Sequence, residues 1–258
     1  MLGASLLVTL LATALTIAPG VNPVELLSDP KRSPLLNSPT WIALGTLANE
    51  LAVGGVLIGG LWFLRPPLSL VLPRGRPHWL SVVGGICLVF GLAPLADVVA
   101  ELCRRLTGSE LTAAKIVATA AKGADPLGLL LLLISLAVLP ALVEEALFRG
   151  FVTAAFAKSW PLALIAPSIL FGVFHLEPTQ AAGTIVLGLG FGTVRLLTGS
   201  IVASTVAHFL YNATVIMVVR SSTTPPEYSI ELMPVLVGLA LAGFGLLLLI
   251  RERPAATA

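Results

Sequence analysis

Charged residues are scarce in this chain, and that scarcity decides its broad class. Of the 258 residues, 11% are charged and 57% are hydrophobic, whereas an ordinary soluble domain carries about 25% charged residues. A soluble domain with so few charges could not cover its surface with polar groups, and a disordered chain needs the opposite composition. Together with the mean hydropathy of +0.99, these values indicate a polytopic membrane protein.

The chain also lacks a basic excess and a disulfide framework. Its net charge is only +2, and nucleic-acid binding needs a strongly basic face, so no nucleic-acid partner is expected. Its two cysteines, Cys87 and Cys103, fall on one predicted helix about 24 Å apart, which is too far for a disulfide. Cysteine content therefore says little about the redox compartment.

Long apolar runs fill most of the sequence. A spanning helix needs about 20 mostly apolar residues, so the sequence predicts an all-α, polytopic transmembrane helical bundle with about eight spans. No Lys or Arg precedes the first run, which favours a retained span over a cleaved secretory signal. Basic residues divide almost evenly between the two sides, so the positive-inside rule does not choose an orientation. The predicted spans are 3–19, 41–64, 79–102, 127–150, 160–176, 181–198, 200–219 and 232–250.

One compact membrane domain is the simplest organisation, with three parts along the chain. Residues 1–126 hold three N-terminal spans and their loops, 127–220 hold the polar residues that could carry chemistry, and 221–258 hold the last span and a tail. Within the long loop after the third span, residues 111–122 are expected to form a short interfacial helix. Two GxxxG pairs predict close helix packing in lipid: Gly55 with Gly59, and Gly188 with Gly192.

Ionisable residues inside spans are costly, so each is a functional candidate. The densest group is Glu144, Glu145 and Arg149, flanked by apolar residues. Glu145 and Arg149 are four positions apart, in the preferred order for a helical ion pair. Glu144 points about 100° away from Glu145 on a regular helix. We therefore assign Glu145 and Arg149 to structural support and Glu144 to chemistry.

Two further polar motifs lie in later spans. Phe171 and His175 are four positions apart, as are His208 and Asn212, so each pair shares a helix face. If the helices on either side of residue 159 run antiparallel, Glu144 and His175 lie at the same depth. His208 and Asn212 fall within the membrane on the next hairpin. These four polar groups are therefore expected to meet in one cavity.

Such a cluster can activate water. A buried glutamate can take a proton from water, a histidine can protonate a leaving amine, and a second histidine with an asparagine can stabilise an oxyanion. Glu144, His175 and His208 are also the ligand types of a catalytic zinc site, although no HExxH motif is present. A third alternative is a transporter or scaffold whose buried polar groups carry protons or join helices.

Three motifs occur in order along these helices: EEALFR as EExxxR, FGVFH as FxxxH and HFLYN as HxxxN. Together they resemble the signatures of the CPBP family, the CaaX prenyl proteases and bacteriocin-processing intramembrane proteases. The resemblance implies an endopeptidase using a glutamate-activated water, with no required cofactor. It implies Glu144 as general base with His175 as partner, His208 and Asn212 at the oxyanion, and Glu145, Arg149 and Phe171 in support.

The remaining expectations concern partners and surroundings. The resemblance implies a peptide or protein substrate, in some members lipid-modified, reached from the lipid bilayer. The Ala-, Gly- and Leu-rich composition with few lysines leans towards a bacterial cell membrane. Glu50, inside the second span, is expected to make a structural polar contact, and Arg195, near the end of the sixth, to snorkel to the interface.

Overall fold

The computed structural model describes residues 38–73, 77–109, 112–223 and 230–252. The predicted span 3–19 lies outside these residues. Within the described ranges every regular element is helical, which confirms the all-α fold class. We number the helices α1 (Pro39–Leu64), α2 (Leu68–Val71), α3 (Trp79–Thr107), α4 (Thr112–Gly123), α5 (Pro126–Ala155), α6 (Trp160–Phe174), α7 (Pro178–Thr198), α8 (Ile201–Ser221) and α9 (Leu232–Arg251).

Six of these helices are long and apolar enough to cross a membrane: α1, α3, α5, α7, α8 and α9. Their ends fall within five residues of the predicted spans, because apolar runs define their middles and Pro, Gly or polar residues define their ends. Many large apolar side chains stay exposed on their outer faces, among them Leu51, Phe63 and Leu247. An exposed apolar surface of this kind is suited to contact with lipid tails. The chain is therefore a helical, integral membrane bundle.

Helix α6 is shorter than the span predicted at 160–176. It has 15 residues, which gives about 22 Å of rise against a hydrocarbon core of about 30 Å. The helix ends where Leu176 adopts a left-handed conformation, with φ of 61°, and Pro178 begins α7 directly afterwards. A left-handed residue cannot continue a right-handed helix. The segment is apolar and helical, but it is too short to cross the membrane alone.

Close contacts fix the relative directions of the helices. A Cβ built at Gly128 would lie 3.2 Å from Pro39, and one at Gly54 would lie 3.9 Å from Val143, so α1 and α5 run parallel. Comparable contacts place α7 and α9 antiparallel to α3. The short turn after α5 sends α6 back along it. Helices α1, α5, α7 and α9 therefore run one way, and α3, α6 and α8 run the other.

Glycines bring the backbones of α3 and α9 together. A Cβ at Gly245 would lie 2.5 Å from the Gly84 carbonyl oxygen, and one at Gly238 would lie 2.5 Å from the Gly91 oxygen. The predicted pair Gly188 and Gly192 also packs closely, against Ser168 and Leu164 of α6. At the other predicted pair, Gly55 and Gly59, no described atom lies within 4 Å of a built Cβ. The GxxxG expectation is met by the described residues only on α7.

The predicted interfacial helix is present as α4. Its small side chains, including Ala118, Ala120 and Ala121, are buried, whereas Lys115 is exposed. Arg220, at the end of α8, donates to the backbone oxygens of Ala121 (2.5 Å) and Ala124 (2.9 Å). A basic side chain at a helix C-terminus satisfies carbonyls that have no partner inside the helix. This contact attaches α4 to the membrane bundle.

Candidate active site

The site is built on α5, which departs twice from regular α-helical geometry. Residues Ile134–Val138 and Glu145–Val152 are π-helical, and Leu139–Glu144 between them is α-helical. A π segment contains i→i+5 hydrogen bonds and is frequent at functional sites. Glu144 and Glu145 lie at the start of the second π segment. Both residues keep α-helical dihedral angles, with φ and ψ of −69° and −38° at Glu144 and of −65° and −39° at Glu145.

Pro140 explains part of the first irregularity. Proline has no N–H, and its ring clashes with the carbonyl four residues earlier, here that of Leu136. The Asn212 side-chain amide on α8 donates to this Leu136 oxygen at 3.0 Å. The helix thus accommodates Pro140 with a π segment, and Asn212 supplies the donor that proline lacks.

Arg149 holds the second π segment to its neighbours. Its Nη1 lies 3.2 Å from Glu145 Oε1, the ion pair expected from their spacing, and both side chains have 0% exposure. Its Nη2 donates to the Gly188 carbonyl on α7 at 3.1 Å. The guanidinium carbon lies 4.2 Å from the centre of the Phe171 ring and 5.2 Å from that of Phe191. Such cation–π contacts strengthen where water is excluded.

His208 lies between the two glutamates. Its Nδ1 is 3.2 Å from Glu145 Oε1 and its Nε2 is 3.8 Å from Glu144 Oε2. A carboxylate can only accept, so the Nδ1–H donates to Glu145 and Nε2 faces Glu144. The ring stacks on Phe191 with 4.6 Å between ring centres. Because His208 and Glu144 are 3% and 6% exposed, this cluster is buried.

His175 lies beside this cluster, at the C-terminal end of α6. Its Nδ1–H donates to the Phe171 backbone oxygen at 2.9 Å, which leaves Nε2 as the free ring nitrogen. Phe171 joins the two histidines, because its ring centre lies 5.2 Å from that of His175 and 5.7 Å from that of His208. The FxxxH and HxxxN motifs are thus brought to one place.

The pairings within the site differ from those expected. We expected Glu144 to pair with His175, but its carboxyl lies 3.8 Å from His208 Nε2, and among the described residues no hydrogen bond or ion pair joins it to His175. Glu145, assigned to support alone, also contacts His208. Asn212 contacts the backbone of α5, not His208. His208 presents one ring nitrogen to each carboxyl, so two adjacent glutamates of α5 contact one imidazole.

Glu50 is a buried carboxyl that the sequence had suggested as a structural contact. It is 3% exposed on α1, and Asn49 donates to its Oε1 at 3.2 Å. Its Oε2 has no hydrogen-bond partner among the described residues. The α1–α5 register places it level with Leu139, about 7 Å below Glu144 along the helix axis. The two carboxyls therefore lie on the neighbouring helices α1 and α5, roughly one helical turn apart in depth.

Two serines of the spans bond to their own helices, and one of them, Ser204, also contacts the Glu145 carboxyl. Ser168 donates to the Leu164 oxygen at 2.7 Å and Ser204 to the Ile201 oxygen at 3.0 Å, as expected for serines within helices. The zinc alternative names Glu144, His175 and His208. Within 38–73, 77–109, 112–223 and 230–252, no three His, Cys, Asp or Glu side chains are grouped closely enough to hold one ion.

The fold and this cluster define a helical membrane protein with a buried carboxylate–histidine site. Residues 126–214 match one protein family, described as type II CAAX prenyl endopeptidase Rce1-like. The match covers about a third of the chain and contains all three motifs, so the family resemblance is confirmed over the segment that carries the site. Comparison with curated proteins and with solved structures finds no match. The family match supports a CAAX-type intramembrane endopeptidase.

Proposed function

We propose that this chain hydrolyses peptide bonds within the membrane, using a water molecule activated by Glu144. The observation that carries the proposal is the position of His208, whose two ring nitrogens lie 3.2 Å from Glu145 and 3.8 Å from Glu144. A positioned carboxylate beside an imidazole supplies general acid–base catalysis. The Rce1-like match over residues 126–214 supports a peptide bond as the target.

The proposed proton path uses both nitrogens of His208. Glu145, held by Arg149, keeps the Nδ1–H in place and so directs Nε2 towards Glu144. Glu144 takes one proton from water as the water oxygen attacks the substrate carbonyl carbon. That proton passes to His208 Nε2 and then to the leaving amine as the C–N bond breaks. The second water proton stays with the new carboxyl group.

The remaining residues hold the water and the developing negative charge. His175 retains a free Nε2 and is proposed to hold the attacking water with Glu144. Protonated His208 and the second amide N–H of Asn212 are proposed to donate to the oxyanion, a large contribution in acyl transfer. Phe171 keeps both imidazole rings in position. No metal is needed for these steps.

The proposed substrate is a prenylated peptide or protein that reaches the site from the bilayer. The matched family is described as prenyl endopeptidases, which supports a prenylated substrate. The apolar outer faces of the helices are open to a lipid-attached substrate. We further propose the bacterial cell membrane as the location, on the basis of the lysine-poor composition.

The proposal is tested with purified protein in liposomes and a panel of quenched peptides, half of them prenylated. We expect the wild type to cleave a prenylated peptide, Glu144→Ala to leave it intact, and a chelator to have no effect. Activity lost with chelator and restored by zinc would replace this mechanism with the metalloprotease alternative. Equal cleavage by Glu144→Ala would remove Glu144 from the mechanism.

A further inference from the structure

A second polar site lies at one end of the bundle, apart from Glu144 and His208. It is a cavity of about 250 Å³ between α2, the end of α5, the start of α6 and the end of α7. Three of these helices end or begin here, at Ala155, Trp160 and Thr198. In a spanning bundle, helix ends of this kind lie at the level of the lipid headgroups.

Arg195 supplies a positive charge to this cavity. From its sequence position it was expected to extend to the interface, but its Nε turns inward and donates to the Arg149 backbone oxygen at 3.2 Å. No acceptor for its other two guanidinium nitrogens is present among the described residues, and no acidic side chain lines the cavity. A half-buried guanidinium with two unused donor groups is matched to an anion with several oxygens.

The opposite wall adds further hydrogen-bond donors. Trp160 lines the cavity and carries an indole N–H, which can only donate. It is also the first residue of α6, whose N-cap, Ser159, makes no side-chain hydrogen bond to the helix. The N-terminal end of a helix has free N–H groups and a partial positive charge. Trp160 therefore brings a residue with a donor group, at the positive end of α6, to the cavity lining.

The rest of the lining is mostly apolar, and it also includes Ser69 and Thr153. Leu70, Pro73, Ala163 and Leu196 complete the walls. We propose that the cavity binds the phosphate group of an anionic phospholipid, with Arg195 as its charged partner and the apolar walls against the adjoining glycerol and acyl carbons. Basic pockets between transmembrane helices bind lipid headgroups on this basis. The same guanidinium holds Arg149, so bound lipid also stabilises the end of α5.

The test uses the full chain in detergent micelles with Trp160 as the reporter. Trp41, Trp62 and Trp79 are replaced by Phe, and phosphatidylglycerol with brominated acyl chains is titrated against quenching of the remaining indole. We expect saturable quenching, weaker quenching by brominated phosphatidylcholine, and about a tenfold loss of phosphatidylglycerol affinity in Arg195→Gln. Arg195→Lys should retain most of the affinity.

The controls separate a built site from general attraction. Arg251→Gln removes the same charge from an exposed arginine on the same side of the bundle and should leave the affinity unchanged. Ala157→Phe keeps Arg195 but narrows the cavity, and it should lose affinity for phosphatidylglycerol as Arg195→Gln does. If Arg195→Gln does not fold, the result for Ala157→Phe decides the test. Equal quenching by both lipids, or wild-type affinity in both cavity variants, would overturn the proposal. If inorganic phosphate at an equal concentration displaced the lipid completely, the proposed ligand would be a free anion and not a phospholipid.

Discussion

At the scale of single residues, the site depends on one imidazole shared by two carboxyl groups. His208 donates to Glu145, and Glu145 is also paired with Arg149, so three side chains from two helices hold one another. The arrangement leaves Nε2 facing Glu144. Each of these groups is buried, and a buried ionic group is stable only while its partners remain.

Arg149→Leu should therefore destabilise the whole bundle. Removing one partner of a buried ion pair costs about 3–5 kcal/mol, because the other charge is left without compensation. We expect a loss of that size in the free energy of unfolding, measured by denaturation in micelles. Arg251→Leu is the matched control, since its contact with Glu252 is exposed, and such pairs contribute about 1 kcal/mol or less. Equal stability of the two variants would show that the Glu145–Arg149 pair is not required.

Glu50→Leu should have the opposite effect on stability. A buried carboxyl with one oxygen unpaired is unfavourable, and an apolar side chain of similar size removes that cost. We expect Glu50→Leu to unfold at a higher temperature than the wild type in a thermal scan of solubilised protein. A lower unfolding temperature would mean that Glu50 has a stabilising partner.

Sequence reasoning reached part of this residue-level arrangement. The four-residue spacing of Glu145 and Arg149 predicted their ion pair, and that of Phe171 and His175 predicted their contact. It did not predict that Glu145 and Glu144 reach the same imidazole, because a regular helix separates adjacent side chains by about 100°. Hydropathy contains no signal for the position of the His208 ring between these two side chains.

At the scale of one element, the geometry of α5 depends on Pro140 and on α8, which supplies a hydrogen-bond donor to the α5 backbone. Pro140 frees the Leu136 carbonyl, and Asn212 of α8 donates to it. Asn212→Ala should cost about 1–3 kcal/mol of unfolding free energy, because it leaves a buried carbonyl unpaired. In a Pro140→Ala background the backbone N–H can return, so the same change should cost less.

A double-mutant cycle measures this coupling. Unfolding free energies are determined for the wild type, both single variants and the double variant. If Asn212→Ala lowered the unfolding free energy equally in the wild type and in Pro140→Ala, Asn212 would not be compensating for the proline. The activity of the double variant gives a separate readout: restored stability without restored cleavage would support the proposed oxyanion contact of Asn212.

The crossing of α3 and α9 supplies another element-scale prediction. A Cβ at Gly245 would lie 2.5 Å from the Gly84 oxygen, so Gly245→Ala must separate the two helices at a cost of about 1–3 kcal/mol. Gly243→Ala, two residues earlier on the same helix, meets no described atom within 4 Å and should raise stability by up to about 1 kcal/mol. Thermal unfolding of both variants tests the crossing, and shifts of the same sign would contradict it.

Helix positions were predictable from the sequence, whereas helix packing was only partly so. Apolar runs bounded by polar or helix-breaking residues located α1, α8 and α9 to within two residues at each end. The length of α6 was overestimated by two residues, because the sequence shows no helix-breaking residue between Phe174 and Pro178 while the backbone turns at Leu176. The glycines that join α3 to α9 are seven residues apart on each helix, not four, so the GxxxG pattern did not find them.

At the scale of the whole molecule, the helix directions predict which loops share a side of the membrane. Lys158 and Arg251 lie on one side and Gly123 on the other. Single cysteines at these positions, in a background without Cys87 and Cys103, can be labelled with a membrane-impermeant maleimide in vesicles of one orientation. We expect one of two patterns. Either positions 158 and 251 react in intact vesicles and 123 reacts only after permeabilisation, or 123 reacts in intact vesicles and 158 and 251 react only after permeabilisation. Labelling of 123 and 158 from the same side would contradict the topology.

The most direct test of the central claim is the cleavage rate of a prenylated reporter peptide by the wild type, Glu144→Gln and Glu145→Gln in identical liposomes, with unfolding temperature measured beside it. Glu144→Gln should abolish cleavage while leaving the unfolding temperature unchanged, because it removes the base and keeps the shape. Glu145→Gln should lower both, because Arg149 and His208 lose their shared partner. Cleavage by Glu144→Gln at the wild-type rate would contradict the glutamate mechanism.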